Sequence, residues 1–145
     1  MEHRHLIIRA EVSNPPTDKR VIESWLVVLT EKINMKIAAG PISSYVTKKG
    51  NEGLTATVLI ETSHIVIHVW DKYDPPLIQF DLYSCGAYHI ESVMIHFSIF
   101  NPTKLEYKYL NRDESLQVLN EGRMENGSNW TTQPLDSNRI QRNPL

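Results

Sequence analysis

The stretch TSHIVIHVW, residues 62–70, sets Ser63, His64 and His68 into an otherwise apolar run, and QFDLYSCG further on ends near Cys85, the only cysteine of the chain. A hydroxyl and a thiol are nucleophiles and proton carriers, and an imidazole exchanges protons near neutrality. Together they supply the parts of nucleophilic or acid–base chemistry. Each also has an ordinary explanation. A half-exposed sheet always has one polar face, His64 alone reads as a surface or hydrogen-bonded histidine, and a single cysteine is commonly a small core residue. His64, His68 and Cys85 lack the paired ligand spacing of a zinc site, so no metal is expected.

Strands must hold these groups. His5 to Val12 alternates, with Leu6, Ile8 and Ala10 on one face and His5, Arg9 and Glu11 on the other, and SNPP ends it. Thr17 reads as an N-cap, and Ile22, Trp25, Leu26, Leu29 and Ile33 follow at amphipathic-helix spacing to about Met35. Gly40-Pro41 breaks the chain, a weaker strand covers Ile42 to Thr47, and KKGNEG is a turn. Leu54 to Thr62, His64 to Trp70 and Leu77 to Cys85 are strand-like, the last two separated by DKYDPP. Ile90, Val93, Met94 and Phe97 signal a second helix that Pro102 stops, and Lys104 to Leu110 alternates as a last strand. The order β-α-β-β-β-β-α-β predicts an α+β two-layer sandwich, a largely antiparallel sheet with two helices on one face.

Side chains alternate across a strand, so parity sorts them onto faces. Leu54, Ala56, Val58 and Ile60 are apolar, opposite Thr55, Thr57 and Glu61. Ile65, Ile67 and Val69 leave His64 and His68 opposite, and Ile78, Phe80 and Leu82 leave Gln79, Asp81, Tyr83 and Cys85 opposite. One face thus collects hydroxyls, imidazoles, carboxylates and the thiol. Parity slips by one residue between Glu61 and His64, which requires a bulge or turn centred on Thr62-Ser63. Trp25 belongs to the core, whereas Trp70, Tyr83 and Tyr88 are open to packing or to walling a ligand.

A chain of 145 residues fits one domain, with about two-thirds of its extended surface buried. From about Arg112 Asn, Ser, Gln, Arg, Gly and Pro dominate. Residues 1–111 therefore read as the domain, and 112–145 as a polar tail, poorly ordered above all over 122–145. The net charge of −2, with scattered Lys and Arg, offers no stripe for nucleic acid. One cysteine makes no internal disulfide, MEHRHLIIRAEV lacks a signal peptide's apolar core, and no apolar run approaches the roughly 20 residues that span a bilayer. A cytoplasmic protein without a membrane association is the expectation.

The pattern S-H-x-x-x-H-x-W followed by D-L-Y-S-C-G, within GLTATVLIETSHIVIHVW and QFDLYSCG and supported by the opening HLIIRAEV, resembles the bacterial and archaeal S-adenosylmethionine decarboxylase proenzymes over roughly residues 3–110. The resemblance implies that Ser63 attacks the Thr62 carbonyl, that the chain splits before Ser63, and that Ser63 becomes a covalent pyruvoyl group. It implies that His68 transfers protons in processing with help from Thr55. In the decarboxylation, a Schiff base forms between the pyruvoyl carbonyl and an amino-acid-type substrate, and Cys85 returns a proton to the substrate. It further implies polyamine synthesis, S-adenosylmethionine as the small-molecule substrate and a homodimer in which two protomers pair their chains.

The chain departs from the family pattern in three places. Thr62 stands where the family usually has Glu, with Glu61 one position earlier; Asp71-Lys72 replaces the Pro-Glu that often follows the tryptophan; and the link from Trp70 to Cys85 is about two residues longer. Asp71 then stands in for the carboxylate that holds the ribose hydroxyls, beside Glu61, Trp70 and Tyr83 as substrate contacts. A sulfonium cation stacked on such an aromatic face gains roughly 0.5–2 kcal/mol. The departures mark a divergent member, comparable to phage-borne relatives. They leave open ornithine or arginine as the substrate of the same machinery, and an uncleaved homologue that binds without chemistry.

Overall fold

The computed structural model describes residues 1–125 and the backbone of 131–133. Alternation of apolar and polar residues forms the strands β1 (Arg4–Val12), β3 (Gly53–Ile60), β4 (Ser63–Trp70), β5 (Leu77–Ser84) and β6 (Pro102–Asn111), while β2 (Ile37–Val46), largely exposed, starts before Ile42 and runs through Gly40-Pro41, where the sequence predicts a break. Two further strands follow, β7 (Gln117–Glu125) and the short β8 (Thr131–Gln133). The helices are α1 (Lys19–Lys32) and α2 (Ile90–Phe97), the latter continued by a 3-10 turn over Ser98–Phe100. The strands form one sheet in the order β2-β3-β4-β5-β1-β6-β7-β8. Every neighbouring pair is antiparallel. The predicted α+β sandwich is the observed class.

The core lies between the sheet and the helices. Leu6, Ile8 and Ala10 of β1, Val58 of β3, Ile65 and Ile67 of β4, and Phe80 and Leu82 of β5 are buried against Ile22, Trp25, Leu26 and Leu29 of α1 and Val93 and Phe97 of α2. Trp25 lies edge-on to Phe80 and stacks on His96, whose backbone carbonyl accepts from the indole Nε1–H at 3.1 Å. The parity assignment of these strands is therefore the structural one.

Three local expectations change. Asp18, not Thr17, caps α1, its carboxylate accepting from the Arg20 amide at 2.8 Å. The helix ends at Lys32, short of Met35, because Asn34 turns into the left-handed region at φ 58°. Asn101 does the same at φ 51° after the 3-10 turn, so Pro102 opens β6 rather than merely ending a helix.

The expectation of a poorly ordered tail from 112 onward is corrected over Gln117–Glu125, which pairs with β6 along its length. The strand is too polar to announce itself, and cross-strand charge pairs stand where apolar side chains usually do. Lys108 meets Glu121 at 4.0 Å, Arg123 meets Glu106 at 3.5 Å and Lys104 meets Glu125 at 3.9 Å. On the other face, the Tyr107 ring lies so close over Gly122 that a Cβ there would come within 2.6 Å of it. The backbone of Thr131–Gln133 pairs with β7 in turn, and the parts of that expectation over 126–130 and 134–145 lie outside the described residues.

Candidate functional site

A two-residue turn, Glu61-Thr62, joins β3 to β4, with Ile60 paired to Ser63. The predicted interruption of alternation is thus a tight hairpin turn centred one residue earlier than Thr62-Ser63. Ser63 leaves it at φ 139°, a region that residues with a Cβ rarely occupy. Such a conformation costs on the order of 1–3 kcal/mol and persists only where surrounding contacts enforce it.

Those contacts come from both sides of the turn. The Glu61 amide donates to the Lys36 carbonyl at 2.9 Å, and the Cys85 amide donates to the Thr62 carbonyl at 2.9 Å. Ser84, fully buried, donates through Oγ to Thr62 Oγ1 at 2.9 Å and accepts from the Gly86 amide at 2.9 Å. Thr62 Oγ1 in turn donates to Met35 Sδ at 3.1 Å. The peptide group before Ser63 is thereby fixed in orientation, with a backbone donor on its oxygen. That is the arrangement that stabilises negative charge on a carbonyl under nucleophilic attack.

The predicted site residues fall into two groups. Ser63 pairs with Ser84, which places it beside half-buried Cys85, and Tyr83 pairs with His64 one step along. Glu61 lies in the turn itself. The other group sits toward the far end of β3 and β4. Thr55 pairs with His68, and Thr55 Oγ1 lies 2.5 Å from His68 Nδ1. His68 is exposed, tilted against Trp70 at 6.2 Å between ring centroids, and borders an open groove of about 330 Å³ lined also by Ile42, Ser44, Thr57 and Val66. Asp71 follows, its side chain only 6% exposed, both carboxylate oxygens accepting from Tyr45 Oη at 2.9 and 3.1 Å. Burial and then the Asp71 carboxylate push the Tyr45 pKa upward, so this hydroxyl stays a donor.

Within one chain the two groups do not meet. Ser63 and His68 stand five residues apart on β4, about 16 Å at the ~3.3 Å rise of a strand. An imidazole spans less than half of that.

A third cluster escaped sequence reasoning as a unit. His5 of β1 and His64 of β4 both pair with Tyr83 of β5, and both Nε2 atoms lie against Asp81 Oδ1, at 3.0 and 2.9 Å. Burial raises the Asp81 pKa, but the hydrogen bonds from His5 and His64 outweigh it, and the carboxyl is held below its ordinary value. Arg112 donates to His5 Nδ1 at 3.2 Å with its guanidinium 4.1 Å from the Tyr83 ring centre, and Tyr83 Oη lies 2.9 Å from His3 Nδ1. The shared parity of His5, His64 and Asp81 is readable in the sequence; the adjacency of β4, β5 and β1 is not.

Comparison with known proteins bears on the family and the fold. The sequence model of the S-adenosylmethionine decarboxylase family matches residues 4–113. The chain belongs to that family, whose members are decarboxylases. It is 26% identical over 105 residues to the arginine decarboxylase proenzyme of Aeropyrum pernix, a match covering 71% of this chain and 76% of that one. Its fold is that of the adenosylmethionine decarboxylase crystal structure from Aquifex aeolicus, with a TM-score of 0.63 and 22% identity over 80% of this chain and 98% of the other. Among the described residues no helix is long and apolar enough to cross a membrane.

Proposed function

We propose that this chain processes itself at the Thr62–Ser63 bond and thereafter decarboxylates an amino-acid-type substrate, S-adenosylmethionine first, to decarboxylated S-adenosylmethionine and carbon dioxide. The observation that carries the reading is Ser63 at φ 139°, following a carbonyl held by the Cys85 amide at 2.9 Å. Attack of Ser63 Oγ on the Thr62 carbonyl carbon breaks the C–N bond and leaves an ester. Loss of the Ser63 α-proton then expels the 1–62 fragment as a carboxylate, and the dehydroalanine that remains takes up water and releases ammonia to give a pyruvoyl cap on 63–145. Backbone strain at Ser63 is relieved in the first step. The pyruvoyl carbonyl supplies the electron sink for decarboxylation. Cys85 stands beside it and returns a proton to the substrate, while Tyr83 offers an aromatic face and Glu61 a carboxylate; Trp70, beside His68 at the other end of β4, comes to this site only from a second copy of the chain.

His68 reaches Ser63 only from another copy of the chain. The reading therefore includes a homodimer in which the Thr55–His68 pair of one protomer serves Ser63 of its partner; two-fold symmetry makes two such sites. The exposed Ile7, Ile42 and Leu59 on the sheet face away from the helices suit such a contact.

One observation favours arginine as a second reading. Asp71 is capped by Tyr45 and nearly buried, so it does not present a free carboxylate to ribose hydroxyls, and a relative bears the name arginine decarboxylase proenzyme. Intact-mass analysis tests the processing: two fragments divided before Ser63 are expected, with Ser63→Ala remaining whole. A wild-type chain that stays full length when folded and assembled overturns it. Release of labelled carbon dioxide from S-adenosylmethionine, ornithine and arginine then ranks the substrates, and turnover of arginine alone makes the second reading the correct one.

A further inference from the structure

Beside the Ser63 end of the sheet stands a group of side chains that the proposed chemistry does not use. His64, Asp81 and His5 come from three adjacent strands, β4, β5 and β1, and project from the face opposite the helices. The imidazole Nε2 atoms converge on one carboxylate oxygen at 2.9 and 3.0 Å, and one donor atom from each of the three residues lies within 4.8 Å of the others. We propose that His5, His64 and Asp81 form a binding site for a divalent transition-metal ion of the zinc, cobalt or nickel kind.

The geometry is close to that of a ligand set. With bonds of about 2.0–2.1 Å, tetrahedral ligands stand roughly 3.3 Å apart, so the two imidazole–carboxylate spacings open by a few tenths of an ångström, while the two imidazole nitrogens, within 4.8 Å of each other, close by at most about 1.5 Å. Two imidazoles and one carboxylate suit borderline metals, whereas magnesium and calcium prefer oxygen shells. Strand register fixes the three Cα positions before any ion arrives. In a single protomer the His5, His64 and Asp81 side chains are 18%, 37% and 34% exposed and open to an ion. Asp81 and His64 pair across strands with Ile7 and Leu59, which the dimer proposed above buries, so the ion enters the separated protomer and a second copy covers its remaining coordination position.

Arg112 is the built-in competitor. A guanidinium only donates, so its 3.2 Å contact with His5 Nδ1 makes that nitrogen an acceptor and leaves the ring proton on Nε2. Metal ligation through Nε2 moves that proton to Nδ1, and Arg112 must then turn away. It is exposed and able to do so.

The inference needs no processing and is tested on a chain that cannot process. Cobalt(II) is titrated into metal-free, full-length Ser63→Ala protein, followed by visible absorption and calorimetry. One equivalent with the intense absorption of low-coordinate cobalt is expected, displaced by zinc. Adding Asp81→Asn or His64→Ala weakens binding at least about tenfold, since losing a ligand costs no less than losing an outer-shell partner. Arg112→Gln tightens it, and His89→Ala, at the exposed N-cap of α2 where the side chain makes no cap bond, leaves it unchanged. Absence of saturable cobalt uptake by the Ser63→Ala protein overturns the proposal without recourse to any further variant. Equal affinity in folded Asp81→Asn and His64→Ala proteins overturns it as well.

Discussion

The amide of Cys85 donates to the carbonyl oxygen of Thr62 at 2.9 Å, so the end of β5 holds the turn that precedes Ser63 through its backbone and not its side chain. Cys85→Ala keeps that amide. Cleavage before Ser63 is therefore expected to proceed within a few-fold of the wild-type rate, while the decarboxylation that follows loses its proton donor and falls by about 10²-fold or more. Time-resolved intact mass and carbon dioxide release separate the two effects; equal loss of both assigns the thiol to processing.

Ser84 is the buried hydroxyl behind the turn. Ser84→Ala removes the donor to Thr62 Oγ1 and the acceptor of the Gly86 amide. Leaving a fully buried amide unsatisfied costs about 1–3 kcal/mol, and the half-buried Gly86 amide falls toward the lower end, at about 1 kcal/mol. Urea unfolding in the Ser63→Ala background, where the chain stays whole, is expected to show a loss of that size.

The distance between Ser63 and His68 makes a prediction about mixtures. His68→Ala and Ser63→Ala chains, each unable to cleave alone, are expected to rescue each other when co-expressed, with the His68→Ala chain cut by the imidazole of its partner. Mass spectra of the mixture are expected to show cut chains that bear the His68→Ala substitution. If none appear although mixed dimers form, the shared site is wrong.

Acid should act through Asp81. Its folded pKa lies below the ordinary carboxylate value, because the hydrogen bonds from His5 and His64 overcome burial. The stabilisation is complete above the unfolded carboxylate pKa of about 3.9 and is lost as pH falls through the lower folded value. Asp81→Asn removes this contribution, so its unfolding free energy is expected to fall less steeply from about pH 5 downward than that of the parent, measured in Ser63→Ala protein with chelator present. Asp113 keeps part of the slope in both, since the His3 amide and then Arg4 hold its carboxyl low as well.

Much of this architecture is written locally. Ile22, Trp25, Leu26, Leu29 and Ile33 are spaced for one helix face and are all buried, and the parity of β3, β4 and β5 gives their core sides. The cap at Asp18 is ambiguous in the sequence because Thr17 is also a capping type. β7 is hidden for a different reason: its stability comes from pairing with Lys104, Glu106 and Lys108, partners that no local pattern in Gln117–Glu125 reveals. The site divides along the same line. Ser63, His68 and Cys85 stand out by type and spacing, yet that Cys85 adjoins the turn while His68 lies well along β4 follows only from strand pairing. Tyr45 over Asp71 is a contact between β2 and the end of β4, equally non-local.

Strand order also dictates what a severed backbone would do. Division before Ser63 assigns β1, β2 and β3 to one polypeptide and the remaining strands to the other, yet β3 is bonded to β4 and β1 is wedged between β5 and β6. The products would be interleaved like the fingers of clasped hands. Three ladders and the layer beneath α1 would have to open before either piece could leave, so a nicked molecule should keep its shape and part only in denaturant.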